Sequence, residues 1–424
     1  MSGWVSAIAH NPVYAGLMVF VGAYPLVTGL YWIAGALVFA VHRERDAPHF
    51  YELDTFPHVS VLVPAHNEET VIGETVERLL ELDWPSFDVT VVDDGSTDRT
   101  SEMIAPLADA GRIRLITKRV NEGKAMAIND ALPLLEGEIV LIVDADGRPQ
   151  PDALRWMVPH FVKVPRVAAV TGNPRVANTT TLLAKLQAIE FSATISVLRR
   201  AQATWGRLMT FSGICTALRK SALEQVGRFE IGMATEDIAL AWQLQRIFSD
   251  VRYEPRALFS MEAPEHLGAW WRQRTRWSRG LGQVLRENVR IFGDRRIRRL
   301  WPVWIEGALS TIWSHLFFLG AAFWIVAFAS GVYGFDGDPI PNYWGLLIAT
   351  TLIVQISVGL LLDRRYDSSV GRYAVWMPLY PLAYWLLSAA AAVWGTIPGF
   401  LNPRQDAPVT WTQPRHAGPT AEAS

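Results

Sequence analysis

Hydrophobic and polar positions divide this chain into two kinds of sequence. No Asp, Glu, Lys or Arg occurs in four stretches, which are residues 1–41, 307–335, 339–362 and 373–403. Each stretch exceeds the length of about 20 apolar residues that an α-helix needs to cross a bilayer. The rest of the chain carries all 39 basic and 41 acidic residues, a density typical of a soluble domain. The pattern therefore predicts a globular body joined to membrane helices, and it excludes a purely soluble enzyme.

Four membrane spans are predicted from these stretches, at residues 16–41, 303–332, 342–362 and 374–400. Asn11-Pro12 interrupts the first stretch, so we expect one span there, after a short interfacial piece, with a tight two-helix hairpin as the alternative. This stretch lacks a basic n-region and a small-residue cleavage site, which argues against a removable signal peptide. A kink or a re-entrant shape is predicted in the last stretch by three prolines, Pro378, Pro381 and Pro398.

The charged loops between the spans predict an orientation. His42-Arg43-Glu44-Arg45 follows the first span, and the loop at 363–373 contains three arginines. The loop at 335–339 has two aspartates and no lysine or arginine. Because basic loops stay on the cytoplasmic side, the globular body is predicted to be cytosolic.

The same reasoning predicts the order of domains. An N-terminal membrane segment at 1–45 precedes a cytosolic body at 46–266. An interfacial amphipathic region at 267–302 follows, then a membrane domain at 303–401 with three spans. A tail rich in Pro, Thr and Ala at 402–424 is predicted to be disordered.

Two ionisable residues, Glu306 and His315, lie inside the second predicted span. An ionisable side chain within a membrane segment is a candidate functional residue. For Glu306 the alternative is a side chain near the helix end that reaches back to the interface. Both interpretations stay open on the sequence alone.

The cytosolic body alternates short apolar runs with helical patterns. The runs of strand length are His58–Pro64, Val89–Val92, Arg112–Thr117 and Ile139–Val143. Such alternation predicts an α/β fold with a parallel, Rossmann-like sheet and right-handed crossovers. Ligands of these sheets bind at the carboxyl ends of the strands, so the residues there are candidate site residues.

Polar clusters follow three of the four runs. Glu68 comes after the first, Asp93 and Asp94 after the second, and Asp144 and Asp146 after the fourth. Carboxylates such as the last pair commonly hold Mg²⁺ together with substrate phosphates, although an acidic turn is the alternative. A glycine-rich phosphate loop is absent, so bound phosphates would need metal and cationic side chains.

Three further motifs could carry chemistry. Lys124 begins a helix, where the dipole disfavours a cation unless an anion is bound nearby. Thr235-Glu236-Asp237 begins another, and its carboxylates could act as a helix cap or as a general base. Gln273-Arg274-Thr275-Arg276-Trp277 lies in an amphipathic stretch at 267–291. There an arginine could stabilise a leaving diphosphate, or the stretch could only bind the membrane interface.

Composition excludes several classes of protein. The net charge of −2 argues against a nucleic-acid partner. The abundance of aromatic residues, including 18 tryptophans, excludes a disordered chain. The single cysteine, Cys215, excludes an internal disulfide and a cysteine-based zinc site, and its apolar surroundings predict a buried thiol.

An ordered set of these motifs resembles the membrane-bound processive glycosyltransferases of family 2, such as cellulose, chitin and hyaluronan synthases. The set is Asp93-Asp94-Gly95, Asp144-Ala145-Asp146, Thr235-Glu236-Asp237 and Gln273-x-x-Arg276-Trp277. Further stretches are similar to bacterial poly-β-1,6-N-acetylglucosamine synthases, namely Val170–Arg175, Ala234–Ile238, Tyr253–Leu258 and Arg364–Tyr366. The resemblance covers residues 20–400 and departs at the N-terminus, where relatives have two spans before the catalytic domain.

The resemblance implies a GT-A fold and a role for each matching residue. Asp93 and Asp94 would contact uridine, and Asp237, with Glu236 beside it, would be the general base. The residues implied at the diphosphate and at a Mg²⁺ or Mn²⁺ ion are Lys124, Asp144 and Asp146. The residues implied to bind the diphosphate and acceptor, or to line the rest of the cleft, are Glu68, Asn173, Arg175, Ser212, Gly213, Gln273, Arg276 and Trp277.

The implied activity is inverting, processive transfer of N-acetylglucosamine from UDP-GlcNAc to a β-1,6-linked polymer, coupled to translocation across a bacterial inner membrane. The implied partners are UDP-GlcNAc, a polysaccharide acceptor and the lipid bilayer. A small membrane accessory subunit is compatible with the resemblance. The alternatives are a synthase of chitin, hyaluronan or a glucan, a non-processive transferase acting on a lipid, and a non-enzymatic membrane scaffold.

Overall fold

The computed structural model describes residues 11–45, 50–330, 342–402 and 409–410. Its strands are β1 Val59–Ala65, β2 Phe87–Asp93, β3 Arg114–Thr117, β4 Ile139–Ile142, β5 Arg148–Pro149, β6 Val167–Val176, β7 Thr216–Arg219 and β8 Asp250–Met261. Its shorter helices are α2 Ile72–Leu80, α3 Thr100–Asp109, α4 Lys124–Ala131, α5 Ala153–Lys163, α6 Leu182–Ile189, α7 Ser196–Trp205, α8 Lys220–Gln225 and α9 Glu236–Arg246. Its longer helices are α1 Pro12–Arg43, α10 Leu267–Glu287, α11 Trp301–Ala329, α12 Asn342–Asp363 and α13 Trp385–Leu401.

All eight strands form one sheet in the order β3-β2-β1-β4-β7-β6-β8-β5. Strands β3, β2, β1 and β4 pair in parallel, which confirms the predicted Rossmann-like half. Strand β7 is antiparallel to both β4 and β6, whereas β6 and β8 are parallel. The mixed second half was not predicted, because Gly172-Asn173-Pro174 within the fully buried β6 has the composition of a turn.

The sheet is buried on both faces. All seven residues of β1 are buried, and successive side chains of a strand point to opposite faces. Val61 and Val63 therefore join a core with α2 and α5, while Leu62 joins a second core with α4 and α9. This double burial explains why β1 is a continuous apolar run, as in other parallel sheets.

Four helical segments in the described residues are long and apolar enough to cross a membrane, namely Pro12–Arg43, Arg295–Ala329, Trp344–Asp363 and Tyr380–Leu401. They coincide with the four predicted spans. The first begins at Pro12 because the Asn11 side chain caps it, accepting a 2.8 Å hydrogen bond from the Val13 N–H. The piece before residue 11 and the loop at 331–341 lie outside the described residues.

The predicted irregularity of the last span is present. A 3₁₀ helix at Ser368–Trp376 and a π-helical turn at Tyr380–Tyr384 precede α13. Pro381 lies in that turn. Because proline has no N–H to donate, it would break the hydrogen bonding of a regular α-helix at this position. Only the last 17 residues of this segment are regular α-helix.

A second amphipathic segment connects the sheet to the membrane helices. Helices α6 and α7 are joined by a π-helical stretch at Glu190–Ile195. The segment packs against α1 and α12 on one side and against β6 and β8 on the other. It is therefore buried between the two parts of the protein, and its charged residues need internal partners.

The contact between the sheet and the long apolar helices, which is called the seam below, contains the ion pairs of Arg200. Its guanidinium has no exposed surface, and Nε lies 2.8 Å from Glu44 Oε1 at the end of α1. Nη1 lies 2.8 Å from Asp363 Oδ1 at the end of α12. Asp363 also pairs with Arg175 on β6 at 2.7 Å. One buried network thus joins two of the long apolar helices to the sheet.

Replacement of Arg200 by Met should strongly destabilise the protein. Methionine keeps most of the volume but leaves the buried Glu44 carboxylate without its guanidinium and Asp363 with Arg175 alone, and loss of a buried partner costs about 3–5 kcal/mol in comparable pairs. Thermal unfolding in detergent would measure the change. Arg296→Met is the matched control, because its ion pair with Asp294 is exposed. Equal melting temperatures for the two variants would contradict this account.

Candidate active site

The loops after β1 and β2 are bonded to each other at the carboxyl edge of the sheet. The Asp94 N–H donates to the Ala65 carbonyl at 2.9 Å, and the Asn67 N–H donates to Ser96 Oγ at 2.9 Å. Glu68 is buried, and its N–H donates to Thr100 Oγ1 at 2.8 Å. The predicted polar clusters after these two strands therefore lie side by side.

Asp93 and Asp94 are buried and already accept hydrogen bonds from the chain. Asp93 Oδ1 accepts from the Ser96 N–H at 2.9 Å, which closes the turn after β2. Asp94 Oδ2 accepts from the Gly123 N–H at 2.6 Å. Gly123 has a φ of 88°, a conformation that favours glycine. Asp94 thus shapes the loop from which α4 begins, and its contact with uridine stays a prediction.

Lys118 belongs to the same edge, although sequence reasoning did not single it out. Its ammonium lies 2.8 Å from both Glu122 and Asp130, and 3.3 Å from Asp94. Burial opposes the charge, but the carboxylates of Asp130 and Glu122 raise the pKa of Lys118 above its usual value. The only sequence signal was its position four residues before Glu122, at the end of a strand.

Lys124 forms the centre of a charged cluster. Its ammonium lies 2.6 Å from Asp144 Oδ1 and 3.2 Å from Glu236 Oε1. A Cβ atom at Gly213 would lie only 2.8 Å from this ammonium and 3.7 Å from Asp237 Oδ2. The structure therefore brings together residues from four separate parts of the chain, and the backbone at Gly213 closely approaches the Lys124 ammonium.

Glu236 and Asp237 begin α9 and have opposite pKa shifts. Burial, followed by the nearby Glu236 carboxylate, raises the pKa of Asp237 to about 6. For Glu236, burial is outweighed by the Lys124 ammonium and the Arg276 guanidinium, which lower its pKa. Two neighbouring carboxyls with separated pKa values can take different roles, one fixed as an anion and the other able to exchange a proton near neutral pH.

Asp144 and Asp146 are buried carboxylates that directly follow β4. No group of three or more His, Cys, Asp or Glu side chains forms a metal cluster within the described ranges. Mg²⁺ sites that complete their coordination with substrate phosphates need only one or two carboxylates. The donor set at the end of β4 fits an ion of this kind.

The Gln273–Trp277 motif lies on α10, a helix of 21 residues within the predicted amphipathic stretch. The Arg276 guanidinium donates to the Ala234 carbonyl at 3.2 Å, next to the Thr235-Glu236-Asp237 motif. The side chains of Gln273 and Trp277 are half-buried on the same helix. The motif thus adjoins the cluster around Lys124 through Arg276.

Arg274, inside the same motif, was not predicted as a site residue. Its guanidinium is buried, lies 2.6 Å from Glu190 Oε2 and is stacked over the Trp277 ring at 4.3 Å from the centroid. Glu190 also accepts a 2.6 Å hydrogen bond from the Tyr384 hydroxyl. Arg274 therefore orients Trp277 and binds α10 to the membrane part.

Close backbone contacts confine α10 on two sides. On one side, a Cβ at Gly395 or Gly399 of α13 would overlap the carbonyl oxygens of Thr275 and Arg279. On the other, a Cβ at Gly280 would overlap Thr235 Oγ1. The glycines thereby set the distance between the last membrane helix, α10 and the Glu236-Asp237 motif.

The four residues that were predicted to line the cleft lie in two separate places. Ser212 adjoins Gly213 and donates its N–H to Thr171 Oγ1 at 3.1 Å, so this pair lies at the charged cluster. Asn173 and Arg175 are buried at the seam instead, where Arg175 donates to Asn173 Oδ1 at 2.8 Å and pairs with Asp363. Their predicted contact with substrate therefore stays a prediction, while their observed contacts are with the protein.

The described residues of the C-terminal tail contact the body at this edge. The Val409 N–H donates to the Ile231 carbonyl at 3.0 Å. A Cβ at Gly123 would overlap the Val409 carbonyl oxygen. At this point the tail, predicted to be disordered, packs against the loop that Asp94 shapes, and residues 403–408 and 411–424 lie outside the described residues.

Fold and site together define a glycosyltransferase with a GT-A domain and membrane helices. A sequence model described as "Glycosyltransferase like family 2" matches residues 57–280. The chain belongs to glycosyltransferase family 2, and it is a hexosyltransferase and a membrane protein.

Similar proteins are known from sequence and from structure. The poly-β-1,6-N-acetyl-D-glucosamine synthases of Staphylococcus epidermidis and of Staphylococcus aureus strain COL are each 30% identical, over 92% of this chain and 96% of their own length. The mannosyltransferase PcManGT from Pyrobaculum calidifontis, solved in complex with GDP-Man and Mn²⁺, has a TM-score of 0.62. It is 23% identical, over 92% of this chain and 99% of its own, and this likeness supports the fold.

Replacement of Gly280 by Ala should reduce catalysis, because the new methyl group forces α10 away from Thr235. Alanine is otherwise favourable within a helix by about 1 kcal/mol, and displacements of about 1 Å can reduce rates by about 10²-fold. The measurement is kcat per folded molecule. Gly268→Ala on the same helix is the control, since its Cβ would have its nearest neighbour, Arg272, at 3.7 Å. A kcat unchanged in both variants would refute the role of this contact.

Proposed function

We propose that this protein transfers N-acetylglucosamine from UDP-GlcNAc to the end of a growing β-1,6-linked polymer, with inversion at the anomeric carbon. The observation that carries the proposal is the cluster of Lys124, Asp144, Glu236 and Asp237 beside Arg276 of the interfacial helix. The similar staphylococcal synthases supply the sugar and the linkage.

The cationic side chains would bind the diphosphate of the donor, and two acidic side chains would bind its uridine. Lys124 and Arg276 would bind the diphosphate, since both already lie beside anionic groups at the catalytic edge. Asp93 and Asp94 would accept hydrogen bonds from the uridine. Because Asp94 now accepts from the loop at Gly123, donor binding would exchange part of that bonding for contacts with the nucleotide.

Asp237 would be the general base. Its carboxylate takes the proton of the acceptor hydroxyl, expected to be the 6-OH of the terminal sugar. The acceptor oxygen then forms a bond to the anomeric carbon while the bond to the UDP oxygen breaks, and its electron pair leaves with UDP. One displacement converts an α-linked donor into a β-linked product without a covalent enzyme intermediate.

Asp146, together with Asp144, would hold a Mg²⁺ or Mn²⁺ ion. Such an ion supplies positive charge where the departing diphosphate becomes more negative. Arg276 would act on the same charge from the helix side. Glu236, kept ionised by Lys124 and Arg276, would hold these cations in place and keep Asp237 basic.

The membrane helices would receive the product. Trp277 would stack on the acceptor sugar, and α10 rests against α13, so the acceptor site adjoins the membrane part. We propose a cytosolic catalytic domain, processive addition and translocation through a bacterial plasma membrane. A bilayer is then part of the working enzyme, and a small accessory subunit could join it there.

Purified protein should release UDP from UDP-GlcNAc alone and form a polymer that a β-1,6-specific hydrolase cleaves. Chelation of divalent metal should stop the reaction, and added Mg²⁺ or Mn²⁺ should restore it. Polymer that only a chitinase cleaves, or a requirement for UDP-glucuronate, UDP-glucose or a polyprenyl phosphate, would identify a rival reaction. Failure to release UDP under any of these conditions would contradict a transferase of this donor.

Asp237→Asn should lower kcat by about 10²–10⁴-fold, because an amide cannot take the acceptor proton. In the wild type, kcat/KM should fall as the pH drops through about 6, where Asp237 becomes protonated. A raised pKa means that ionised Asp237 costs stability at neutral pH, so the variant should melt no earlier than the wild type. Asp109→Asn, at an exposed position, is the control. Near-normal polymer synthesis by Asp237→Asn would exclude the base assignment.

A further inference from the structure

Glu306 lies in the membrane helix α11, yet both of its carboxylate oxygens accept hydrogen bonds. Trp32 of α1 donates from Nε1 to Oε1 at 2.6 Å, and Gln202 of α7 donates from Nε2 to Oε2 at 3.1 Å. A side chain that only reached back to the interface would have water as its partner. Glu306 instead joins three helices, α1, α7 and α11.

Gln202 carries this contact toward the active site. It is buried, and with its amide nitrogen bonded to Glu306, its oxygen accepts the Met209 N–H at 3.0 Å. An amide has one donating and one accepting end, so the carboxylate at Glu306 determines which end faces Met209. If the amide turned round, two N–H groups would face each other at Met209.

The segment from 206 to 213 is held at several consecutive peptide groups. The Leu208 N–H donates to Gln245 and its carbonyl accepts from the same side chain. The Met209 carbonyl accepts a 3.0 Å hydrogen bond from Trp242 Nε1, and its N–H is the group bound by Gln202. Gln245 and Trp242 lie on α9, the helix that begins with Glu236 and Asp237. The segment ends at Ser212-Gly213, beside Lys124 and Asp237.

We infer that Glu306 is a positioning residue for the catalytic cluster. Through the fixed orientation of Gln202 it holds the segment 206–213, and thereby Gly213, at its distance from Lys124 and Asp237. The membrane helices thus affect the geometry of the reaction as well as the attachment of the enzyme. The inference of a kinetic effect rests on the proposed function, whereas the effect on the segment does not.

A double variant in which the side chains of Glu306 and Gln202 are swapped tests this inference. In the double variant Glu306→Gln/Gln202→Glu, Gln at 306 can accept from Trp32 and donate to Glu at 202, which can still accept the Met209 N–H. The single variant Gln202→Glu places two carboxylates against each other and should lower kcat, by up to about 10²-fold if Gly213 moves by about 1 Å. The double variant should recover most of that loss.

Hydrogen exchange provides a readout that needs no substrate. Amides of 206–213 should exchange faster in Gln202→Glu and return to the wild-type rate in the double variant. Thr311→Val is the matched control, since Thr311 lies on the same membrane helix and its hydroxyl donates to the Gly307 carbonyl of its own helix. It should leave both the exchange rate and kcat unchanged.

The outcomes separate this inference from the proposed function. A double variant that exchanges and turns over no better than Gln202→Glu overturns the positioning role. If the single variant is too poorly folded to assay, Glu306→Gln alone should give an intermediate exchange rate, and a wild-type rate there also overturns it. A wild type that makes no polymer from UDP-GlcNAc refutes the proposed function, while the exchange rates still decide the role of Glu306.

Discussion

A buried arginine determines how the catalytic domain sits on the membrane helices. Arg200 has no exposed surface, and Glu44 and Asp363 provide its counter-charges, each at 2.8 Å. A charge without water is tolerated only when opposite charges touch it. The ends of α1 and α12 must therefore meet at α7, and Arg175 ties the sheet to the same point.

The position of helix α10 depends on a similar contact. Arg274 pairs with Glu190 next to the membrane part, and glycines allow α10 to approach both α13 and Thr235. The helix is thereby held between α13 and the Glu236-Asp237 motif. Arg276, which reaches the charged cluster, lies on that same helix. The charged cluster is therefore formed close to the contact between the sheet domain and the membrane helices.

Much of this organisation was predictable. The four spans, the parallel half of the sheet and the convergence of the loops at Glu68 and Asp93-Asp94 all follow from local patterns of apolar and polar residues. Strand β6 was not predicted, because burial on both faces overrides the turn composition of Gly172-Asn173-Pro174. The ion pairs of Lys118 and Arg274 were also not predicted, because their partners are brought near only by folding.

The sequence by itself determined which residues could do chemistry and which stretches could enter a membrane, because both depend on side-chain type and short-range spacing. Only the tertiary structure decided how they act together. It placed Lys124 between Asp144 and Glu236, and so lowered the pKa of one carboxyl while burial raised that of Asp237. It also placed Arg175 at the seam rather than at the charged cluster. Electrostatic interactions of this kind depend on distance and burial, and neither can be read from the order of residues.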